Sequence, residues 1–381
     1  MNLRDLFLLD PDITFLNHGS FGATPTPVFE VYQRWQRHFE HQPVFFVDKE
    51  LPSFFEEARN GLGAYLNAAA EDLVYVPNAT FGVNVVARSL ALGPGDEVLI
   101  SNHEYGACSR AWQFLSQKRG FDVVVQSIPI PLSSSDKLVE QFWEGVTDRT
   151  KVIFISHITS PTAMHFPVEA ICARAREAGI LTLIDGAHAP GQIPLDLQSV
   201  GADFYTGNGH KWLCSPKGAA FLYTKPERQA LIEPLVVGWG WAKDKAFTFG
   251  SDYLDYHQWL GTNDPAAYLS VPAAIQFQVE HDWSSVRSRC HQLVEKAIQG
   301  ICELTGLASV YPDNAAYHQM AIAPLTYQDD LAALKDRLLG EFAVEIPLID
   351  WEDRHFIRVS VQGYNDQDDV DNLLNALARA L

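Results

Sequence analysis

Short apolar runs, each closed by polar or turn-forming residues, recur through the middle of this chain at 96–100, 123–125, 151–155, 181–184 and 219–223. Runs of this length, apolar without strict alternation, fit strands covered on both faces. Between two of them, residues 167–179 carry Pro at the start of a helical pattern and Gly at its end, the usual punctuation of a helix. Strand and helix in that alternation predict an α/β fold with a mostly parallel central sheet and helices on both faces. Ligands of such sheets bind beyond the carboxyl ends of the strands, and Asp185 directly follows one of the runs.

Helical periodicity marks the flanks. After Pro27, apolar residues at Val28, Tyr32, Trp35 and Phe39 give a helix with Thr26 as its expected cap. From Trp283 onward, Val286, Cys290, Leu293, Ala297, Ile301 and Leu304 form a longer stripe that also holds Cys302, and small thiols bury easily there. Residues 356–361 alternate like a strand, and Val370, Leu373, Leu374 and Leu377 share one face of a last helix. Asp366, Asp368 and Asp369 crowd its start, where the helix dipole favours acids. A chain of 381 residues is too long for one simple core. We expect a large domain over 18–282, a smaller α+β C-terminal domain over 283–381, and 1–17 packed as an N-terminal segment.

Composition narrows the partners more than the fold. With 28 Lys and Arg against 47 Asp and Glu, a net charge of −19 argues against a nucleic-acid groove or an anionic membrane surface. No apolar run approaches the roughly twenty residues of a membrane span. The first residues lack the basic start and apolar stretch of a signal peptide. Five scattered cysteines suggest a reducing compartment rather than a disulfide framework. The expectation is a cytoplasmic enzyme.

Its candidate chemistry gathers between Ser160 and Lys211. The run at 181–184 leads into Asp185 and His188, and a short strand leads into Thr206-Gly207-Asn208-Gly209-His210-Lys211-Trp212. A lysine beside a histidine in a Gly-rich loop suits a Schiff-base nucleophile for pyridoxal phosphate. An ionised Asp185 would keep that cofactor's ring nitrogen protonated, and burial near cations would free Lys211 of its own proton. His210 would serve the phosphate or orient the lysine. Upstream, Asn78-Ala79-Thr80 precedes a helical pattern, and a helix N-terminus is a phosphate site. Thr80 as a plain cap is compatible with that reading. Two other classes stand beside it: a metal-dependent hydrolase using His157, His165, Asp185, His188 and His210, and a pyridoxal phosphate-binding protein without catalysis.

The order Asn78-Ala79-Thr80, His103-Glu104-Tyr105, His157-Ile158-Thr159-Ser160-Pro161-Thr162, Asp185-Gly186-Ala187-His188, Gly209-His210-Lys211, Gly261-Thr262 and Arg358 resembles the class V aminotransferase family along nearly the whole chain. Ser160-Pro161-Thr162 and Pro43-Val44-x-Phe46 look most like its isopenicillin N epimerase-like branch, related to the cysteine desulfurases. The resemblance implies the type I pyridoxal phosphate (PLP)-dependent transferase fold, pyridoxal 5'-phosphate as cofactor and no metal. It implies Lys211 as the Schiff-base lysine, Asp185 as the ring-nitrogen partner, His188 beside the phenolic oxygen and Tyr105 stacked on the ring. It further implies phosphate contacts from Asn78, Ala79, Thr80, Asn208 and His210, with Ser160 where desulfurases have an Asn near the cofactor oxygen. Thr262 would reach the phosphate from the neighbouring subunit of a homodimer with shared active sites. Arg358 would grip the α-carboxylate of an amino-acid substrate, and the segment around His18 would lie near that substrate. No cysteine follows Cys302, so the desulfurase route through a late loop cysteine is disfavoured. Epimerisation, C–S β-lysis and transamination stay open, with His18 as the candidate proton donor on the face opposite Lys211.

Overall fold

The computed structural model describes residues 3–131, 134–245 and 248–381. Seven strands form its central sheet: β1 (Leu73–Val76), β2 (Glu97–Ser101), β3 (Asp122–Gln126), β4 (Thr150–Ser156), β5 (Leu181–Asp185), β6 (Phe204–Asn208) and β7 (Ala220–Thr224). Their order is β1-β7-β6-β5-β4-β2-β3. The five strands from β6 to β3 run parallel, and β7 is antiparallel to both of its neighbours. All five apolar runs read from the sequence lie in this sheet, so the α/β expectation holds, with the last run as the antiparallel strand.

Alternation along each strand explains why both faces are covered. Val98, Ile100, Val152, Phe154, Leu183 and Phe204 pack on one side, against Val83, Val86 and Trp112 of the helices Ala79–Ser89 and Gly106–Arg119. Leu99, Ile153, Ile155, Ile184 and Tyr205 pack on the other side, in the core that holds Ile171 and Cys172 of the helix Val168–Glu177. Each period-2 strand thus feeds two apolar layers.

The C-terminal part is a three-stranded antiparallel sheet, β8 (Met320–Pro324), β9 (Leu348–Trp351) and β10 (Arg354–Ser360), in the order β9-β10-β8. The helices Trp283–Thr305 and Gln367–Ala380 pack beside it. Asp366 caps the last helix in a reciprocal capping box with Asp369. Asp369 also pairs with Arg4 at 2.6 Å. The chain start is tied down further, because Leu3 N–H donates to the Gly363 carbonyl at 3.0 Å and Thr14–Phe15 pairs in parallel with Val344–Glu345. One boundary differs from expectation. The first long helix is Thr26–His41 with Pro25 at the cap position, and Thr26 makes no capping bond, because the fixed extended backbone of Pro25 itself starts the helix.

Candidate active site

Ser101, Ser156, Asp185 and Asn208 are the last residues of β2, β4, β5 and β6, so four adjacent parallel strands point their carboxyl ends toward one place. A cavity of about 540 Å³ opens there. Lys211 lines it with its Nζ 3.0 Å from His188 Nε2, and the other ring nitrogen, Nδ1, accepts the indole N–H of Trp212 at 3.2 Å. Burial, then the Arg358 charge, lowers the Lys211 pKa to about 7, opposed by Asp185 and Cys108. Burial, with Lys211, Arg358 and His18 nearby, pushes His188 well below the ordinary imidazole range. Both shifts are toward the neutral forms.

Asp185 sits at the end of β5, 3% exposed. Its Oδ1 accepts the Ala187 N–H at 2.9 Å, and its Oδ2 lies 3.5 Å from the Cys108 thiol. Burial raises its pKa, as expected of a carboxylate with no ion-pair partner among the described residues. A second buried carboxyl, Glu104, lies close enough to feel Asp185. Ser101 Oγ and Ser156 Oγ donate to its two oxygens at 2.5 and 2.6 Å, and burial, despite both hydroxyls, pushes it up to about 8.

Another side of the cavity is built at the N-terminus of the helix Ala79–Ser89. Asn78 caps it, its side chain accepting the Phe81 N–H at 2.8 Å, while the Ala79 N–H donates to Asn208 Oδ1 at 2.8 Å. That last bond ties the helix to the end of β6 and commits the Ala79 amide to a protein acceptor. Gly82 permits the close approach, since a Cβ there would lie 2.3 Å from Thr206 Oγ1. Asn78, Ala79, Thr80, Asn208 and His210 all line the cavity. His210 Nδ1 donates to the Ala219 carbonyl at 3.0 Å, and burial, then Lys211, lowers its pKa to about 4.

β10 delivers Arg358, which does not itself line the cavity but bonds two residues that do, Ser160 and Ser20. Its Nη1 donates to the Ser160 carbonyl at 2.6 Å and its Nη2 to Ser20 Oγ at 3.1 Å, while Nε is buried with no partner. No carboxylate pairs with it among the described residues, and burial lowers its pKa to about 10. Ser20 Oγ in turn donates a hydrogen bond to Asn17 Oδ1 at 2.5 Å. Ser160 lines the cavity with its carbonyl turned to Arg358, so in this arrangement it serves the arginine first. Tyr105, about half exposed, borders the cavity at the start of the helix Gly106–Arg119.

Three expectations need correction or relocation. His18 does not face the substrate space: it is fully buried, its Nε2 donates to the Lys211 carbonyl and its Nδ1 accepts from the Tyr364 hydroxyl, both at 3.0 Å. Burial lowers its pKa to about 3, so it is a neutral strut beneath the lysine and not an acid. Ser20 and Phe21 take its place on the cavity wall. Thr262 is exposed and lies outside the cavity of its own chain. The five residues of the metal-hydrolase alternative do not converge. His157 bonds the Tyr205 hydroxyl at 3.0 Å, His165 bonds His318 at 3.0 Å, and no group of three His, Cys, Asp or Glu suited to a metal occurs among the described residues. Ser20 belongs to the segment expected near the substrate, whereas Glu104, Ser156 and Trp212 have no role assigned from the sequence. Ser156 ends an apolar run and Trp212 follows the lysine directly, which were the available signals.

Among the described residues no helix is long and apolar enough to cross a membrane. Residues 22–373 match the family described as Aminotransferase class-V. The chain is 35% identical to an isopenicillin N epimerase of Amycolatopsis lactamdurans, covering 99% of this chain and 97% of that one. It is 27% identical to a probable chloroplastic L-cysteine desulfhydrase of Arabidopsis thaliana, over 97% and 83% of the two chains. In fold it is similar to the cysteine desulfurase CsdA of Escherichia coli, with a TM-score of 0.82 at 23% identity over 99% and 97% of the chains. It is also similar to the cystine C–S lyase C-DES, with a TM-score of 0.86 at 20% identity over 97% and 98%. The strand-end cavity, its lysine and aspartate, and a match over most of the chain agree: the chain belongs to the class V aminotransferase family of pyridoxal phosphate-dependent enzymes.

Proposed function

We propose that this chain is an epimerase of the isopenicillin N epimerase type, acting at the α-carbon of an amino acid. The observation that carries it is a cavity lysine held toward its neutral form, with an arginine that lacks a carboxylate partner buried directly behind the cavity residues Ser160 and Ser20. The residues present fit the cofactor. Asp185 is a buried carboxylate in want of a cation, and the helix N-terminus with Thr80 beside it is suited to a phosphate. When bound, pyridoxal phosphate supplies an electron sink for negative charge developing at the substrate's α-carbon.

Asp185 would face the ring nitrogen, and Tyr105 would cover the ring. Asn78, Thr80, Asn208 and His210 would hold the phosphate. A phosphate dianion beside His210 would raise its pKa and let Nε2 donate while Nδ1 keeps the Ala219 carbonyl. Arg358 would offer its planar fork to the substrate carboxylate by exchanging its present bonds to Ser160 and Ser20. Lys211, as the free base, would take the α-proton from one face, and inversion requires a second donor to protonate the opposite face. We place Thr262 in the partner's site of a homodimer.

A C–S β-lyase is the second reading, favoured by the relatives named L-cysteine desulfhydrase. No cysteine lines the cavity among the described residues, which disfavours a thiol-based desulfurase in either case. Incubation of the purified protein with α-deuterated amino acids, isopenicillin N and cystine among them, separates the readings. Loss of α-deuterium with inversion and without pyruvate supports the epimerase. Pyruvate and cysteine persulfide from cystine, or pyruvate and sulfide from cysteine, support the lyase, and neither signal from any amino acid refutes both.

A further inference from the structure

An indole N–H only donates, so the 3.2 Å contact from Trp212 Nε1 obliges His188 Nδ1 to keep its lone pair. The His188 proton then sits on Nε2, 3.0 Å from Lys211 Nζ. A hydrogen bond across that gap needs a lone pair on the amine, which an ammonium lacks. The chain Trp212 to His188 to Lys211 therefore runs in one direction and ends on a neutral amine. All of it is shielded, with Trp212 fully buried and His188 2% exposed. We propose that Trp212 is a positioning residue: its indole N–H fixes His188 in the tautomer that offers Nε2–H to Lys211, and so holds the lysine as the free base that captures the cofactor.

The other charged or titratable groups facing this pair act in both directions. Arg358 from β10, with His18 and His210 close by, disfavours added positive charge, whereas Asp185 from β5 and Cys108 from the helix Gly106–Arg119 favour an ammonium. Without the indole N–H, His188 is free to move its proton to Nδ1 and accept from a lysine ammonium through Nε2. The buried donor that now penalises the ammonium disappears with that change. Since an unmatched buried donor costs about 1–3 kcal/mol, the Lys211 pKa should rise by about one to two units.

The inference rests on Lys211 being the cofactor lysine, and two measurements on the cofactor-free protein keep the two ideas apart. Nitrogen-15 NMR of histidine-labelled protein, with His188→Gln to assign the signal, reports which ring nitrogen carries the proton. The rate of pyridoxal phosphate capture against pH, followed by absorbance, reports the lysine. Trp212→Phe removes the N–H. Should that variant fold poorly, benzothienylalanine at 212 keeps the indole shape without a donor. We expect the proton on Nε2 in the natural protein, a capture midpoint near the lysine's lowered pKa, and a midpoint one to two pH units higher in the replacements. A proton on Nδ1 in the natural protein overturns the proposal, as does an unmoved midpoint in a folded replacement. Failure of the natural protein to capture cofactor at any pH refutes the function instead, and the NMR result then decides the tautomer alone.

Discussion

Arg358→Met sets the stability of the protein against its function. Burial lowers the guanidinium pKa from 12.5 to about 10, a cost to the cation of about 3 kcal/mol. For a base with a depressed folded pKa this cost is present at every pH below about 10, and it disappears above the unfolded value. Methionine removes it and fills similar volume. It also forfeits the bonds to the Ser160 carbonyl and Ser20 Oγ, about 1.5 kcal/mol each at the low end for charged donors. The two effects nearly cancel, so unfolding of the cofactor-free variant by urea should differ from the natural protein by no more than about 2 kcal/mol. Substrate recognition has no such offset. Loss of two charge-assisted bonds to a carboxylate, about 3–6 kcal/mol together, lowers kcat/KM for α-deuterium exchange by about 10²–10⁴-fold. Arg358→Lys keeps the charge without the fork and should fall between. A variant that loses more than about 4 kcal/mol of stability, or keeps kcat/KM within tenfold, would show that this arginine is a structural part.

Three further outcomes follow from the same geometry. His18, held neutral with a pKa near 3 against 6.5 in the unfolded chain, makes stability fall as pH drops below 6.5; His18→Gln should flatten that acid limb by about 1.4 kcal/mol per pH unit without abolishing α-deuterium exchange. Glu104, raised to about 8, contributes stability that is full below its unfolded pKa and lost as pH rises through 8, so Glu104→Gln should remove an alkaline decline of about 1.4 kcal/mol per pH unit in urea titrations between pH 6 and 8. Gly22 has φ +71° and a Cβ there would lie 2.1 Å from the His210 carbonyl oxygen and 2.9 Å from Lys211 Cα; Gly22→Ala should cost more than about 3 kcal/mol, or slow cofactor capture by displacing the lysine loop, because neither contact is a side chain that swings away.

What could be read from sequence divides along a physical line. The strands were visible because residues such as Val98 to Ile100 and Val152 to Ile155 are buried on both faces, and that leaves an unbroken apolar run. Asp185 and Lys211 were visible because each lies at or just beyond a strand end, so local order already places them. β1 escaped because four residues before a proline gave no pattern apart from the loop they enter. Arg358 could be assigned only by resemblance, since alternation in β10 fits a solvent-facing arginine equally well; the structure buries Phe356 through Ser360 without a break.

His18 and Trp212 mark where local reading ends. Asn17, His18 and Gly19 look like a polar turn, yet Gly19 packs where a Cβ would meet Met320 Sδ at 2.6 Å, and His18 bonds Tyr364, 346 positions away. The same holds for the direction of the hydrogen bond onto Lys211. It depends on which nitrogen of His188 meets an indole 24 positions further along, and no spacing rule encodes that choice. Residue type can nominate a nucleophilic lysine, but its protonation is set by donors and acceptors that only the folded chain brings together. For that reason the buried neighbours that never touch a substrate, His18, Glu104 and Trp212, are the better test of this site than the lysine itself.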